Sequence, residues 1–168
     1  NFYGYDDQIP NRVYVYNNRI FGEKNIGGVE FVFMKTSDNR LGSTRKFKTS
    51  DGIEAVMASR ARALMDAVYD WHRYNTIPRA YDWIASSVEK ESGLANELIG
   101  VTLKFGNKGT MRRIGYLLAL CGVLNKQLTR LQRKIGASKS LIPWFPGRNS
   151  KGPINRDWGL IINGIFPR

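Results

Sequence analysis

The sequence predicts an α+β fold: short antiparallel strands first, then a bundle of about five helices, then one returning C-terminal strand. Three observations carry that prediction. Apolar residues alternate with a period of two in VYVYNN (13–18) and VEFVFMK (29–35). From Ser59 to Gly136 they recur instead at helical spacing. A Pro/Gly-rich stretch then leads into the apolar run WGLIIN (158–163). With 168 residues, 42% of them apolar and 12% aromatic, the chain can bury a proper core. It is expected to form one domain over 1–168, with a strand-rich part (1–58), a helical part (59–136) and a closing loop and strand (137–168).

The opening residues, NFYGYDDQIP, have no initiator Met and no basic-then-apolar leader. They read as the end of an element already under way, which predicts a piece of a longer chain without a secretion signal. After the first strand, RIFGEKNIGG (19–28) reads as a glycine-bearing loop to the second. RKFKTSDGIEAVMA (45–58) holds one or two short strands around a Ser-Asp-Gly turn. Ser59 is a good N-cap, and Leu64, Met65, Val68 and Trp71 fall on one helical face through about Arg73. Pro78 suits the first turn of a second helix, with Tyr81, Ile84 and Val88 on one side. Ser92 is placed to cap a third helix bearing Leu94, Leu98 and Val101, stopped by Gly106. Thr110 opens a fourth, with Ile114, Leu117, Leu118 and Cys121 as its stripe and Gly122 at its end. Asn125 starts a fifth, with Leu128, Leu131 and Ile135, closed by Gly136. SLIPWFPGRNSKGPINRD then reads as a loop.

The inventory argues against catalysis. A metal site or a nucleophilic triad needs clustered His, Cys and carboxylates, and the chain owns one His and one Cys. His72 sits at the polar end of a helix, where a solvated imidazole helps the dipole. GEKNIGG lacks the Lys-Ser/Thr and the following helix of a phosphate loop. Asp66 and Asp70, one turn apart, read as offsetting Arg62 and Arg73 more readily than as a carboxylate pair. Asp6 and Asp7 lack the spacing that metal-dependent phosphoryl transfer favours. The expectation is a non-enzyme with no cofactor and no metal. Cys121 is a lone cysteine on an apolar face, which excludes a disulfide framework and fits a reducing, cytoplasmic setting. No run of eighteen apolar residues exists to span a membrane.

Charge is where the sequence speaks. Net charge is +12, yet residues 1 to 103 balance 13 Lys and Arg with 13 Asp and Glu. Residues 104 to 168 hold the other 13 cations and a single acid, Asp157. The 53 residues from Lys104 to Arg156 carry no acid at all. A solvated face normally mixes signs, so this segment predicts a polyanionic partner. Lys104 and Lys108 precede the fourth helix. Arg112 and Arg113 lie in its first turn, off the apolar stripe with Tyr116. Lys126, Arg130, Arg133 and Lys134 cover the non-apolar side of the fifth. With Arg148 and Lys151 of the loop, these ten residues are the expected DNA contacts. They would touch backbone phosphate rather than base edges, since Arg and Lys dominate while Asn and Gln are few. The loop itself, with Arg156, would either wrap a duplex edge or serve as a soluble connector. Trp144, Phe145 and Trp158 stand in apolar, Pro-rich surroundings and are expected to pack rather than to stack on bases. The alternative is a protein-interaction module whose basic face docks an acidic partner. An RNA-binding role would come without any recognised RNA motif.

Four stretches in order, DQIPNRVYVY, ASRARALMDAVYDW, GTMRRIGYLLALCGV and GPINRDWGLIIN, resemble the AbiEi-type antitoxins. The likeness covers most of the chain and rests on order and spacing. Arg60 and Arg62 depart from the acid that the family pattern places early in its Ala-Leu helix. The resemblance implies an antitoxin of a bacterial, phage-resistance toxin–antitoxin pair whose toxin is a nucleotidyltransferase-like enzyme. It also implies repression of the pair's own promoter through inverted repeats, read by a winged helix that would lie before Asn1. On that analogy the basic helices add phosphate contacts and a toxin-neutralising function.

Overall fold

The computed structural model describes residues 3–5, 12–137 and 140–166, with only the backbone of Tyr74. Asp6, Asp7 and the start of DQIPNRVYVY lie outside the described residues. The fold is α+β. Where the sequence points to a single domain, the chain falls into two compact units, 1–58 and 59–168. The division comes where the hydrophobic period changes from two to 3.6.

In the first unit, β1 (Arg12–Asn17), β2 (Gly22–Ile26) and β3 (Val29–Lys35) form a sheet in the order β1-β3-β2. The strand β2 corrects the expected loop over 19–28. Gly27 and Gly28 have φ of 60° and 81°, the backbone that a two-residue hairpin turn requires, and Ile26 pairs with Val29 across it. Since β2 takes the hairpin position beside β3, β1 is left to pair on the other side. It does so in parallel, Val13 beside Phe31 and Val15 beside Phe33, not antiparallel as expected. β4 (Thr44–Lys48) and β5 (Glu54–Ala58) make the second, antiparallel ribbon around the Ser-Asp-Gly turn. Tyr3 donates its hydroxyl to Ala58 O at 2.6 Å. Among the described residues of this unit, Met34 alone is fully buried, at 7% exposure.

The second unit is helical. α1 (Arg60–Tyr69) is capped by Ser59, whose Oγ accepts from Arg62 N at 3.2 Å. It breaks at Asp70 into the single turn α2 (Trp71–Tyr74), ended by Asn75 in left-handed backbone, so the helix expected through Arg73 is two pieces. α3 (Arg79–Lys90) follows Pro78. α4 (Leu94–Phe105) starts from Gly93 at φ 96°, a conformation open to glycine, and not from a Ser92 side-chain cap. α5 (Lys108–Leu120) is capped by Asn107, whose Oδ1 accepts from Thr110 N at 2.8 Å. Thr110 is therefore inside the helix, and Lys108 opens it. α6 (Asn125–Ile135) ends at Gly136 as expected. The closing segment folds into three two-residue strands, β6 (Ile142–Pro143), β7 (Ile154–Asn155) and β8 (Leu160–Ile161), in the order β6-β8-β7. Two of them lie in the expected loop, and only the middle of WGLIIN is strand.

The core of this unit is built from Met65, Val68, Leu98, Ile114, Leu117 and Leu131, each fully buried. The closing segment completes it. Trp144, Phe145 and Trp158 are buried, as packing side chains. Trp144 stacks on Tyr81 with centroids 5.2 Å apart and meets the edge of Tyr116 at 4.9 Å. The Tyr81 hydroxyl donates to Trp144 O at 2.6 Å, tying α3 to the segment. Trp158 packs against α5 at Gly115, where an added Cβ would fall 2.0 Å from the ring.

Candidate functional site

α6 is the most strongly two-sided helix of the chain. Leu128, Leu131 and Ile135 are buried on one side, and Lys126, Arg130, Arg133 and Lys134 are exposed on the other. At 100° per residue those four cations span an arc of roughly 100° facing away from the apolar side. Lys126 and Arg130, and Arg130 and Lys134, stand at i,i+4, where like charges repel. Arg133 and Lys134 fall in the last turn, where the helix dipole favours a cation. Among the described residues, none of the four lies within ion-pair distance of a carboxylate.

Two further cations flank the link between α4 and α5. Gln127 Nε2 donates to Asn96 Oδ1 at 2.8 Å, which ties the first turns of α4 and α6 together. Lys104 lies in the last turn of α4, as Arg133 and Lys134 do in that of α6. The link to α5 is two residues long, so Lys108 opens that helix close to Lys104 in the chain. Lys104 and Lys108 are both exposed, and Lys104 Nζ rests 5.2 Å from the Phe105 ring centroid.

Arg112 and Arg113 are a correction. Expected on the outside, Arg112 is 3% exposed, and its Nη1 donates to Ser140 O at 3.0 Å. Gly159, at φ 63°, lies against it: a Cβ there would be in contact with the guanidinium carbon at 3.4 Å. Arg113 is partly buried and donates from Nη2 to Pro143 O at 3.1 Å. Burial pulls its pKa below the usual guanidinium value, with Arg112 adding to the fall and Tyr81 opposing it. Both side chains hold the closing segment onto α5 and are turned away from any external phosphate. The sequence places them off the stripe facing α6; it does not reveal that a second layer, 140–161, covers the opposite side. Nε of each finds no hydrogen-bond partner among the described residues. Tyr116 is partly buried against Trp144, and burial raises its phenol.

In the loop, Arg148 and Lys151 are exposed. Arg148 lies over the Phe145 ring at 4.8 Å and Arg156 is also exposed, so these cations belong to the closing segment. On α1, Asp66 accepts from Arg62 Nε at 2.6 Å, and that guanidinium lies 4.3 Å over Phe105. The charge-offset reading holds for this pair. His72 is exposed and edges Trp71 at 5.8 Å. One feature had no signal in the sequence. A cavity of about 610 Å³ lies between α3 and the end of α5, with Asp82, Glu89 and Cys121 in its wall. No helix among the described residues is long and apolar enough to cross a membrane. No protein-family model, curated protein or solved structure matches the chain.

Proposed function

We propose that this chain is the C-terminal part of an AbiEi-type antitoxin, without enzymatic activity, acting in the cytoplasm. The outer face of α6, extended by Lys104 and Lys108, lies along a DNA phosphate backbone. What supports this reading is one observation: a helix carries four exposed cations on one side, and no described carboxylate offsets them. Such an arrangement costs helix stability when alone and is relieved when an anion arrives. Arginine and lysine make up the outward arc of α6, a composition that positions a backbone rather than reads bases. Base readout at the promoter's inverted repeats, and neutralisation of a nucleotidyltransferase-like toxin, are what the family resemblance adds.

The test is fluorescence anisotropy on a labelled duplex over a salt series. The four α6 cations alone give a slope of log K against log salt of roughly −3 to −4, which Lys104 and Lys108 would steepen. Arg130→Glu with Arg133→Glu is expected to flatten that slope by about two, on promoter and random duplex alike. An unchanged slope would remove α6 from the interface.

An acidic protein partner is the second reading, and Leu124 favours it. This residue precedes α6 and is 70% exposed, an apolar neighbour that a protein uses and a phosphate chain does not. Under that reading Leu124→Ser weakens toxin neutralisation and leaves duplex affinity as it was.

A further inference from the structure

The cavity between α3 and the end of α5 is opposite in character to the rest of its surroundings. On α3, Asp82, Ala85, Ser86 and Glu89 follow one another at i, i+3, i+4 and i+7, so all four face the same side. Val88, Leu120 and Phe166 add apolar surface to the wall. Asp82 and Glu89 therefore stand two helical turns apart, a rise of roughly 10 Å, with Ala85 and Ser86 between them. Leu120 and Cys121, at the C-terminal end of α5 where the helix dipole is negative, also line the wall.

Among the described residues, no ion pair involves Asp82 or Glu89. Burial raises the Asp82 carboxyl above the usual range, and no neighbouring positive charge pulls it back. A chain with net charge +12 thus lines this hollow with acid. The volume, about 610 Å³, is that of a small-molecule site.

We infer that this cavity binds a linear aliphatic diammonium or polyamine, one ammonium at Asp82, the other at Glu89, and the methylene chain along the apolar wall between them. The class follows from the geometry. A metal ion would need carboxylates that converge, and these are separated by two turns. A monoamine would satisfy one carboxylate and leave the other alone. A neutral apolar ligand would bury both carboxylates unpaired, at high cost.

Isothermal titration of the full chain with α,ω-diaminooctane, α,ω-diaminobutane and octylamine tests this. Diaminooctane spans both carboxylates when extended, diaminobutane is too short, and octylamine has one charge. Diaminooctane is expected to bind about tenfold tighter than either, the worth of one added charge-assisted contact. Asp82→Asn and Glu89→Gln should each lower it to the octylamine level, while Glu97→Gln, on α4, should leave it unchanged. Equal affinity for the three amines, or diaminooctane binding that survives both substitutions, overturns the proposal. Two-state melting of each variant in the absence of amine keeps a folding defect from passing as a binding one. The outcome is independent of duplex binding, since neither carboxylate lies on the α6 face.

Discussion

Gly115 and Trp158 set the tightest requirement on any single side chain. With 2.0 Å between a would-be Cβ and the indole ring, even one methyl forces the closing segment off α5. Gly115→Ala is expected to lower the stability of the helical unit by about 1–3 kcal/mol in urea unfolding, an overpacking cost. Tyr81 makes a complementary demand. Tyr81→Phe keeps the ring stacked on Trp144 but orphans the buried Trp144 carbonyl, costing about 1–3 kcal/mol by the same measurement. Asp82 acts with the opposite sign. Its carboxyl is raised by burial, so the folded state holds its proton to higher pH than the unfolded state does. Through that window the unfolded chain binds fewer protons, and stability falls as pH rises. Asp82→Asn is therefore expected to raise the melting temperature at pH 7 and to leave it unchanged near pH 3, where the carboxyl is protonated in both states. A variant less stable than the parent at pH 7 would contradict the direction of the shift.

At the scale of elements, α6 shows a helix shaped against its own stability. Arg130 has a like charge one turn away on each side, and each such pair costs about 0.2–0.5 kcal/mol. Arg130→Glu is thus expected to stabilise the fold slightly in urea while weakening duplex binding. A loss in both would mean that Arg130 packs rather than binds. The helices were legible in the sequence because leucines at 3.6 spacing have few alternatives. Their caps were less so. Asn107 and Gly93 stand where Thr110 and Ser92 looked suited, because capping depends on the backbone path into the helix and not on residue type alone. β2 was missed for a related reason. Gly27-Gly28 is equally at home in a slack loop and in a tight hairpin, and GEKNI offers too few apolar residues to decide. The burial of Arg112 and Arg113 was invisible because what covers them begins 28 residues further along the chain, at Ser140.

For the molecule as a whole, the two units differ in how much they bury. The helical unit encloses Trp144, Tyr81 and Phe145 among a dozen large side chains that water barely reaches. The strand unit has Met34 buried and leaves Phe21, Ile53 and Val56 exposed. Amide exchange is expected to separate them, with the β4–β5 ribbon exchanging roughly a hundredfold faster than Ile114–Leu118 of α5. Uniform protection would mean that the units open together. The lopsided charge was readable at this scale, and so was the break at Ala58; the path of the last thirty residues was not, since short Pro/Gly-rich strands carry almost no periodicity. That path has a consequence for biosynthesis. The ribosome releases α1 to α6 before Trp144, Trp158 and Leu160, so a nascent chain holds the bare flank of α5 open to water until residues 140–161 emerge. A copy cut short after Ile135 would stay in that state, marked for chaperone or protease, and only a chain that carries 140–161 escapes them.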